Sequence, residues 1–257
     1  MASERSRSFG AVAAAYEKYR PEYPDLLAQL ILEYAETPLR TALELGAGTG
    51  KATRVLARHG IAVTASDPDD AMLRQLAARV PGTATVTATL ETLPQLGTFD
   101  LVYAAAALHW TEPTGRWDRI ARLLGPGGVF ANFGGAPYLS DPELEEAMED
   151  AQRPWLVDDS PGGTVRSSID GIRWPASELV SDPRFTDVRE TTIEQRFELM
   201  ASDWTGYLST VSAYLVLDEG DRTAALDAIA AVLPDVVEVR ADLTLHLARR
   251  VGAPQIA

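Results

Sequence analysis

Thr41-Ala42-Leu43-Glu44-Leu45-Gly46-Ala47-Gly48-Thr49-Gly50-Lys51 is the stretch whose reading decides the architecture of this chain. Thr41 to Leu45 is short, apolar and compatible with a strand. Glycines then alternate at 46, 48 and 50, and Ala52, Val55, Leu56 and His59 follow on one helical face. The pattern predicts strand, tight turn, helix. Glycines let the backbone turn sharply and let a ligand touch the main chain, because no Cβ intervenes. The carboxyl end of a strand is also where open α/β sheets bind ligands. A bare βα turn is the alternative, but it seldom needs three glycines. A P-loop is excluded, since Gly50-Lys51 is followed by Ala52 and no hydroxyl is offered to Mg²⁺. A dinucleotide fingerprint would place its third glycine at 51, where Lys51 stands.

Outward from this turn, strands and helices alternate. Ile61 to Ser66 predicts a second strand, followed by Asp67-Pro68-Asp69-Asp70-Ala71-Met72-Leu73. A carboxylate at such a strand end can accept both ribose hydroxyls of an adenosine. Its other reading is helix N-cap, a role Asp69 can fill. Thr83 to Ala88 predicts a third strand, leading into Thr89-Leu90-Glu91-Thr92-Leu93-Pro94. Glu91 also reads as a first-turn helix acid. Phe99 to Ala104 predicts a buried strand that leaves into small residues, Ala105-Ala106-Ala107, before Leu108-His109-Trp110. Ile120 to Leu124 ends a helix at Gly125-Pro126-Gly127-Gly128, and Val129 to Phe133 forms a fifth strand. Such alternation predicts a largely parallel sheet with helices on both faces.

From Thr41 to about Gly135 these motifs, in this order, resemble those of class I S-adenosylmethionine (SAM)-dependent methyltransferases. The G-x-G-x-G spacing with Glu44 before it, the acid at Asp67 with Met72-Leu73 beyond, the Glu91-Thr92-Leu93-Pro94 segment, the F-D-x-V strand running to His109-Trp110 and the glycine turn after Leu124 carry the resemblance. It implies a Rossmann-like fold with a mostly parallel seven-stranded sheet, an N-terminal helical lid and an insertion after the fifth strand. It also implies SAM as cofactor, held by Glu44, Gly46, Ala47, Gly48, Gly50, Asp67, Pro68, Met72, Leu90 and Glu91. Ala104 and Ala105 would admit the sulfonium end. Thr89 stands where the family often has an acid against the adenine amino group.

The amino-terminal segment adds a narrower likeness. Phe9, Val12, Ala13, Tyr16 and Tyr19 fall at helical spacing, and Arg20-Pro21-Glu22-Tyr23-Pro24 ends that helix. The segment resembles the start of the trans-aconitate methyltransferase-like group. The resemblance implies that it lies over the cofactor, with Tyr16 and Arg20 near the methionine moiety. A second helix is expected over Asp25 to Tyr34.

After Gly135 the alternation stops. Asp141 to Gln152 is an acidic helical stretch, and Val157 to Asp170 is a long polar loop flanked by Trp155 and Trp174. Residues 136–183 read as a substrate-side insertion. Phe185 to Phe197 reads as one strand, Trp204 to Leu215 and Ala225 to Leu233 as two helices, and Val237 to Leu247 as one cleanly alternating strand with His246 on its polar side as a solvated or capping residue. The chain is expected to form one domain over 1–257: lid helices 8–35, SAM-binding core 41–135, insertion 136–183, and C-terminal strands and helices 184–250.

Composition sets further bounds. The net charge of −14 argues against a nucleic-acid footprint and tolerates a cationic sulfonium. There is no cysteine, so thiol nucleophiles and Cys-ligated zinc are excluded. His59, His109 and His246 are far apart, and no metal site is expected. Lacking a signal-like or membrane-length apolar run, the chain is expected to be cytoplasmic.

Methyl transfer is an in-line displacement, so alignment is the main requirement. A general base is needed only for a nucleophile that must lose a proton. His109 is the candidate base, with a structural role as its other reading. Trp110, Tyr138, Trp204 and Tyr207 are candidate substrate walls, each with core packing as its other reading. The expected activity is methylation of a small molecule, with O-methylation of a carboxylate or hydroxyl favoured. SAM cyclisation or cleavage, and SAM binding without catalysis, are the alternatives.

Overall fold

The computed structural model describes residues 12–156 and 173–252. Its main sheet has seven strands: β1 (Thr41–Leu45), β2 (Ala62–Asp67), β3 (Ala84–Thr87), β4 (Phe99–Ala105), β5 (Leu124–Gly134), β7 (Phe185–Ile193) and β10 (Leu243–Arg250). Their order is β3-β2-β1-β4-β5-β10-β7. The first five run parallel, while β10 lies antiparallel between β5 and β7. The order reverses beside β1, which is the switch point where such sheets take ligands.

Period-two alternation in β4 feeds a core on each face of this sheet. Leu101 and Tyr103 meet Leu27 and Ile31 of α2 (Asp25–Tyr34) and Val55 and Leu56 of α3 (Lys51–Arg58). Val102 and Ala104 meet Trp117 and Ile120 of α5 (Arg116–Leu123) and Leu179 of α7 (Ala176–Leu179). On α4 (Asp70–Arg79), Leu73 and Leu76 pack with Ala47 and Ala65.

A second, three-stranded antiparallel sheet carries its own core. It joins β6 (Tyr138–Leu139), β9 (Val236–Arg240) and β8 (Arg196–Met200) in the order β6-β9-β8. Trp204, Tyr207 and Leu208 of α8 (Ala201–Leu208), Tyr214 of α9 (Ser212–Leu215), Ala225 and Ile229 of α10 (Glu219–Val232) and Met148 of α6 (Pro142–Gln152) pack against Leu139, Val237 and Val239.

Five expectations change here. The strand expected over Phe185–Phe197 breaks at Glu194-Gln195 into β7 and β8, which belong to different sheets. The strand expected over Val237–Leu247 breaks at Ala241-Asp242 into β9 and β10. The alternation ran unbroken across that point because both pieces bury the same phase against different cores: Val237 and Val239 in the small lobe, Leu243, Leu245 and Leu247 in the main one. The small lobe therefore extends beyond the expected insertion, drawing on residues 138–156 and 196–240, with β7 between them. His246 is 3% exposed rather than solvated, because β10 is an interior strand; its Nε2 lies 3.2 Å from Glu190 on β7. The expected stripe from Trp204 to Leu215 divides at Ser209-Thr210-Val211 into α8 and α9. The polar loop from Val157 and the helix start at Phe9 lie outside the described residues.

Among the described residues, three short crossings join the lobes: Gly135 to Pro137, Glu194-Gln195 and Ala241-Asp242. They are fastened together. Ala241 N donates to the Gln195 carbonyl (3.0 Å), and Gln195 N donates to Asp242 Oδ1 (3.1 Å). Asp242 Oδ2 accepts from Arg240 Nη2 (2.6 Å). A Cβ on Gly135 would stand 2.0 Å from the Asp242 carbonyl oxygen, so only glycine fits where these strands meet.

Candidate active site

The glycine turn after β1 faces a cleft between the lobes, roofed by α1 (Ala13–Tyr19) and the Arg20–Pro24 bend. Its walls include Tyr16, Arg20, Tyr23, Glu44, Gly46, Ala47, Gly48, Thr49, Lys51, Ala105, Ala106, Gly135, Pro137, Gln195, Tyr207, Ala241 and Leu243. Together with its open mouth it holds about 690 Å³.

The glycines differ in what they leave room for. Gly46, Gly48 and Gly50 have φ of +69°, +55° and +87°, in the left-handed region that L side chains rarely adopt. A Cβ would meet Ala107 Cβ at 2.5 Å from Gly46 and Leu76 Cγ at 2.7 Å from Gly50. At Gly48 it would meet nothing within 4 Å. Two glycines thus let neighbours pack, and the third leaves open space on a residue that lines the cleft.

Backbone bonds lock this turn to β2. Ala47 N donates to the Ser66 carbonyl (2.9 Å), and Ser66 Oγ donates to the Glu44 carbonyl (2.8 Å). Asp67 is 7% exposed and accepts from Gly48 N (2.9 Å) and Asp69 N (2.8 Å). Asp69 caps α4 by accepting from Ala71 N (2.8 Å), so Asp67 is not needed as the cap. Burial pushes the Asp67 carboxyl up to about 6, against these two backbone bonds.

Glu44 is 1% exposed. Its Oε2 accepts from Thr53 Oγ1 (2.5 Å) and Tyr103 OH (2.7 Å), while Oε1 has no hydrogen-bond partner among the described residues. Desolvation pushes its pKa up to about 7, and the charge of Asp67 adds to that rise. An unpartnered carboxylate oxygen beside a cleft is costly unless something positive meets it.

The amino-terminal segment is tied down on both sides. Arg54 bonds Glu17 (2.8 Å) and Glu22 (2.7 Å), Lys51 bonds Glu22 (2.6 Å), and Arg79 lies 3.1 Å from Glu17. Across the cleft, Arg20 donates from Nε to Thr210 Oγ1 and from Nη2 to the Thr210 carbonyl, both at 2.9 Å. Its guanidinium lies between the rings of Tyr16 (5.0 Å) and Tyr207 (4.8 Å). The segment therefore bridges the main sheet's helices to the small lobe.

Of the expected site residues, Tyr16, Arg20, Glu44, Gly46, Ala47, Gly48, Ala105 and Tyr207 line this cleft. Gly50, Asp67, Pro68, Met72, Leu90, Glu91 and Ala104 stand outside its lining; Met72, Leu90 and Ala104 are buried. Glu91 accepts from Glu112 N (2.9 Å), and its pKa is held low by hydrogen bonds that outweigh burial. His109 sits in the 3-10 turn Leu108–Trp110, exposed, with its ring 4.7 Å from that of Trp110. Crowding around the ring and then the Arg116 guanidinium hold its pKa below the ordinary value. Neither His109 nor Trp110 is a lining residue. Tyr138 is 40% exposed on β6, with Arg240 over its ring at 6.0 Å. Trp204 is 1% exposed and donates to Met148 Sδ (3.3 Å). It stacks behind Tyr207 at 5.0 Å, so Tyr207 forms the wall and Trp204 backs it.

Sequence reasoning named no site role for Tyr23, Pro137, Gln195, Ala241 or Leu243, all of which line the cleft. Tyr23 lay within the Arg20–Pro24 motif and could have been found there. The others depend on the crossings, for which the sequence carried no local signal. Among the described residues, no cluster of His, Asp or Glu could hold a metal ion, and no helix is long and apolar enough to cross a membrane.

Residues 43–132, from β1 to within β5, match the methyltransferase domain family. An uncharacterised methyltransferase of Mycobacterium tuberculosis is 40% identical over 126 residues, 49% of this chain and 51% of that protein. The chain thus spans about half the length of the curated relatives matched first. A trans-aconitate 2-methyltransferase of Rhizobium leguminosarum is 34% identical over 191 residues, 70% of this chain and 71% of the relative. A solved structure, a candidate type II methyltransferase of Anaeromyxobacter dehalogenans, superposes with a TM-score of 0.65 at 26% identity, over 91% of this chain and all of that one. Similarity that reaches beyond the domain match into both lobes, on a sheet whose glycine turn sits at the switch point, makes the conclusion plain: the chain belongs to the class I SAM-dependent methyltransferase family.

Proposed function

We propose that this chain binds SAM in the cleft and methylates a small molecule on oxygen, with a carboxylate as the favoured acceptor. The residues present suit the cofactor. The unpartnered Glu44 Oε1 is available to an ammonium, and the open side of Gly48 is room a Cβ would fill. Asp67 spends one hydrogen bond per oxygen on the backbone, which leaves acceptor capacity for ribose hydroxyls. Pro68, Met72, Leu90 and Glu91 would flank the base. Arg20, already oriented by Thr210, would face the cofactor's carboxylate beside Tyr16.

When bound, SAM supplies a methyl group activated by a sulfonium. The protein's part is to align the acceptor with it and exclude water, which Ala105, Tyr16 and Tyr207 would do.

One observation carries the choice of acceptor: neither carboxylate of the described lining is left over as a general base once Glu44 Oε1 meets the cofactor's ammonium. Glu44 is buried and held by two hydroxyls, and Glu22 is ion-paired to Lys51 and Arg54. Burial raises the hydroxyl pKa values of Tyr23 and Tyr207, so both stay neutral and can donate. A carboxylate needs no deprotonation. The trans-aconitate 2-methyltransferases among the relatives, named for a carboxylic acid, support the same choice. On this reading His109 is a structural residue beside the site.

The test is incubation with methyl-labelled SAM and a metabolite extract. The expected result is labelled methyl ester with matching S-adenosylhomocysteine, and loss of turnover in Asp67→Ala with cofactor affinity down about 10- to 100-fold. Release of methylthioadenosine would replace this reading with SAM cleavage. Cofactor binding with no product of either kind would leave a binding module.

A further inference from the structure

We propose that Gln195 reads the acceptor: its side-chain amide is the specificity-determining contact for the acceptor's non-reacting polar group. This rests on the methyl-transfer reading above.

Gln195 stands where the chain leaves β7 for β8, at the middle of the fastened crossings. Both of its backbone groups are engaged: N–H to Asp242 Oδ1 at 3.1 Å, carbonyl from Ala241 N at 3.0 Å. Asp242 is in turn held by Arg240 at 2.6 Å and by its tight approach to Gly135. The main chain at 195 is thus fixed to both lobes. The side chain is half-buried, lines the cleft, and has no hydrogen-bond partner among the described residues.

A rigid backbone with an uncommitted amide is what a recognition contact requires, since little ordering remains to be done on binding. A buried polar contact also discriminates strongly, because an acceptor lacking the matching group leaves the amide unpaired. The hydroxyls of Tyr23 and Tyr207 add further neutral donors to the same cleft, and neither has a protein hydrogen-bond partner among the described residues. Neutral donors of this kind fit an acceptor that carries a second carboxyl, amide or hydroxyl beyond the reacting oxygen, while Arg20 in the same cleft is assigned to the cofactor's carboxylate. Gln195 supplies both a donor and an acceptor, so it can pair with any of these groups, and a negative charge at this position would select against the carboxyl alone.

The experiment uses the full chain, methyl-labelled SAM and a fixed panel: trans-aconitate, citrate and succinate with their half-amides, benzoate as a monocarboxylate, and the metabolite extract. Cofactor affinity is measured separately by titration with S-adenosylhomocysteine. For the best acceptor, Gln195→Ala is expected to raise KM about 10-fold or more, with cofactor affinity held within about twofold. Gln195→Glu, similar in shape, is expected to raise KM further for a dicarboxylate and less for its half-amide. Wild-type turnover together with unchanged KM in both variants would overturn the role of Gln195. Equal losses for dicarboxylate and half-amide in Gln195→Glu would also overturn it, since that pattern reports damage to the crossing. No labelled product from wild type would overturn the methyl-transfer reading itself, and this proposal with it.

Discussion

Glu44 and Asp67 are buried carboxyls on neighbouring strand ends, and burial raises both, to about 7 and about 6 from 4.5 and 3.8. A group whose pKa is higher in the folded chain stabilises the fold below its unfolded value and loses that contribution as pH rises through the folded value. The ligand-free protein should therefore weaken as pH climbs from about 4 to about 7. A cofactor ammonium at Glu44 favours the ionised form and offsets this loss. The melting-temperature gain with saturating S-adenosylhomocysteine should grow between about pH 5 and about pH 8, and Glu44→Gln should flatten the ligand-free slope. Scanning calorimetry across that range checks both; a constant gain would mean that Glu44 never meets a charge. At this scale the sequence was informative. The tight turn at Gly46, Gly48 and Gly50 was legible because turn chemistry is local, and Asp67 fastens it by accepting from Gly48 N. The burial of His246 was not legible, since alternation identifies opposite faces of a strand and does not tell whether the second face is covered.

Among the elements, α1 makes the connection that matters most to the cleft. Its apolar stripe was readable, but its anchors come from distant positions: Glu17 and Glu22 against Lys51, Arg54 and Arg79, and Arg20 against Thr210. Charged pairs of this kind lie on faces whose partners no periodicity can name. Arg54 is 15% exposed and Glu17 14%, so their pair is shielded enough to matter. Arg54→Ala should free the bend, accelerating amide exchange over residues 13–24 at least about 10-fold in the ligand-free protein, with protection partly restored by S-adenosylhomocysteine. Hydrogen-exchange mass spectrometry reads this directly. Unchanged exchange would mean that Thr210 and the small lobe alone hold the segment. The same scale explains the misplaced strand boundaries. A break without glycine or proline, such as Glu194-Gln195 or Ala241-Asp242, leaves the hydrophobic pattern untouched on either side.

The whole molecule is two lobes sharing one set of crossings. Its parallel half was readable from Thr41 onward, because strand and helix periods alternate there. The small lobe was not, because its pieces are separated in sequence by a main-sheet strand. Asp242 links the lobes through bonds to Gln195 and Arg240. Asp242→Ala should cost about 1.5–3 kcal/mol. For a chain of this size that lowers the melting temperature by roughly 3–12 °C. The transition should also broaden as the lobes uncouple, which calorimetry detects as a van't Hoff enthalpy below the calorimetric one. A sharp, unshifted transition would show that the packing around Gly135 suffices.

The place of β10 has a consequence for how the protein is made. It is the last strand described, yet it lies between β5 and β7, and β9 just before it is the central strand of the small sheet. While the ribosome is still adding residues before 236, β5 and β7 cannot be bridged, and β6 and β8 have no strand between them. The small lobe and the antiparallel edge of the main sheet both wait on the same short stretch, residues 236–250, to emerge. A nascent chain stalled before it should show protected amides in β1 to β4 and none in the small lobe, and should be captured by chaperones until that stretch is released.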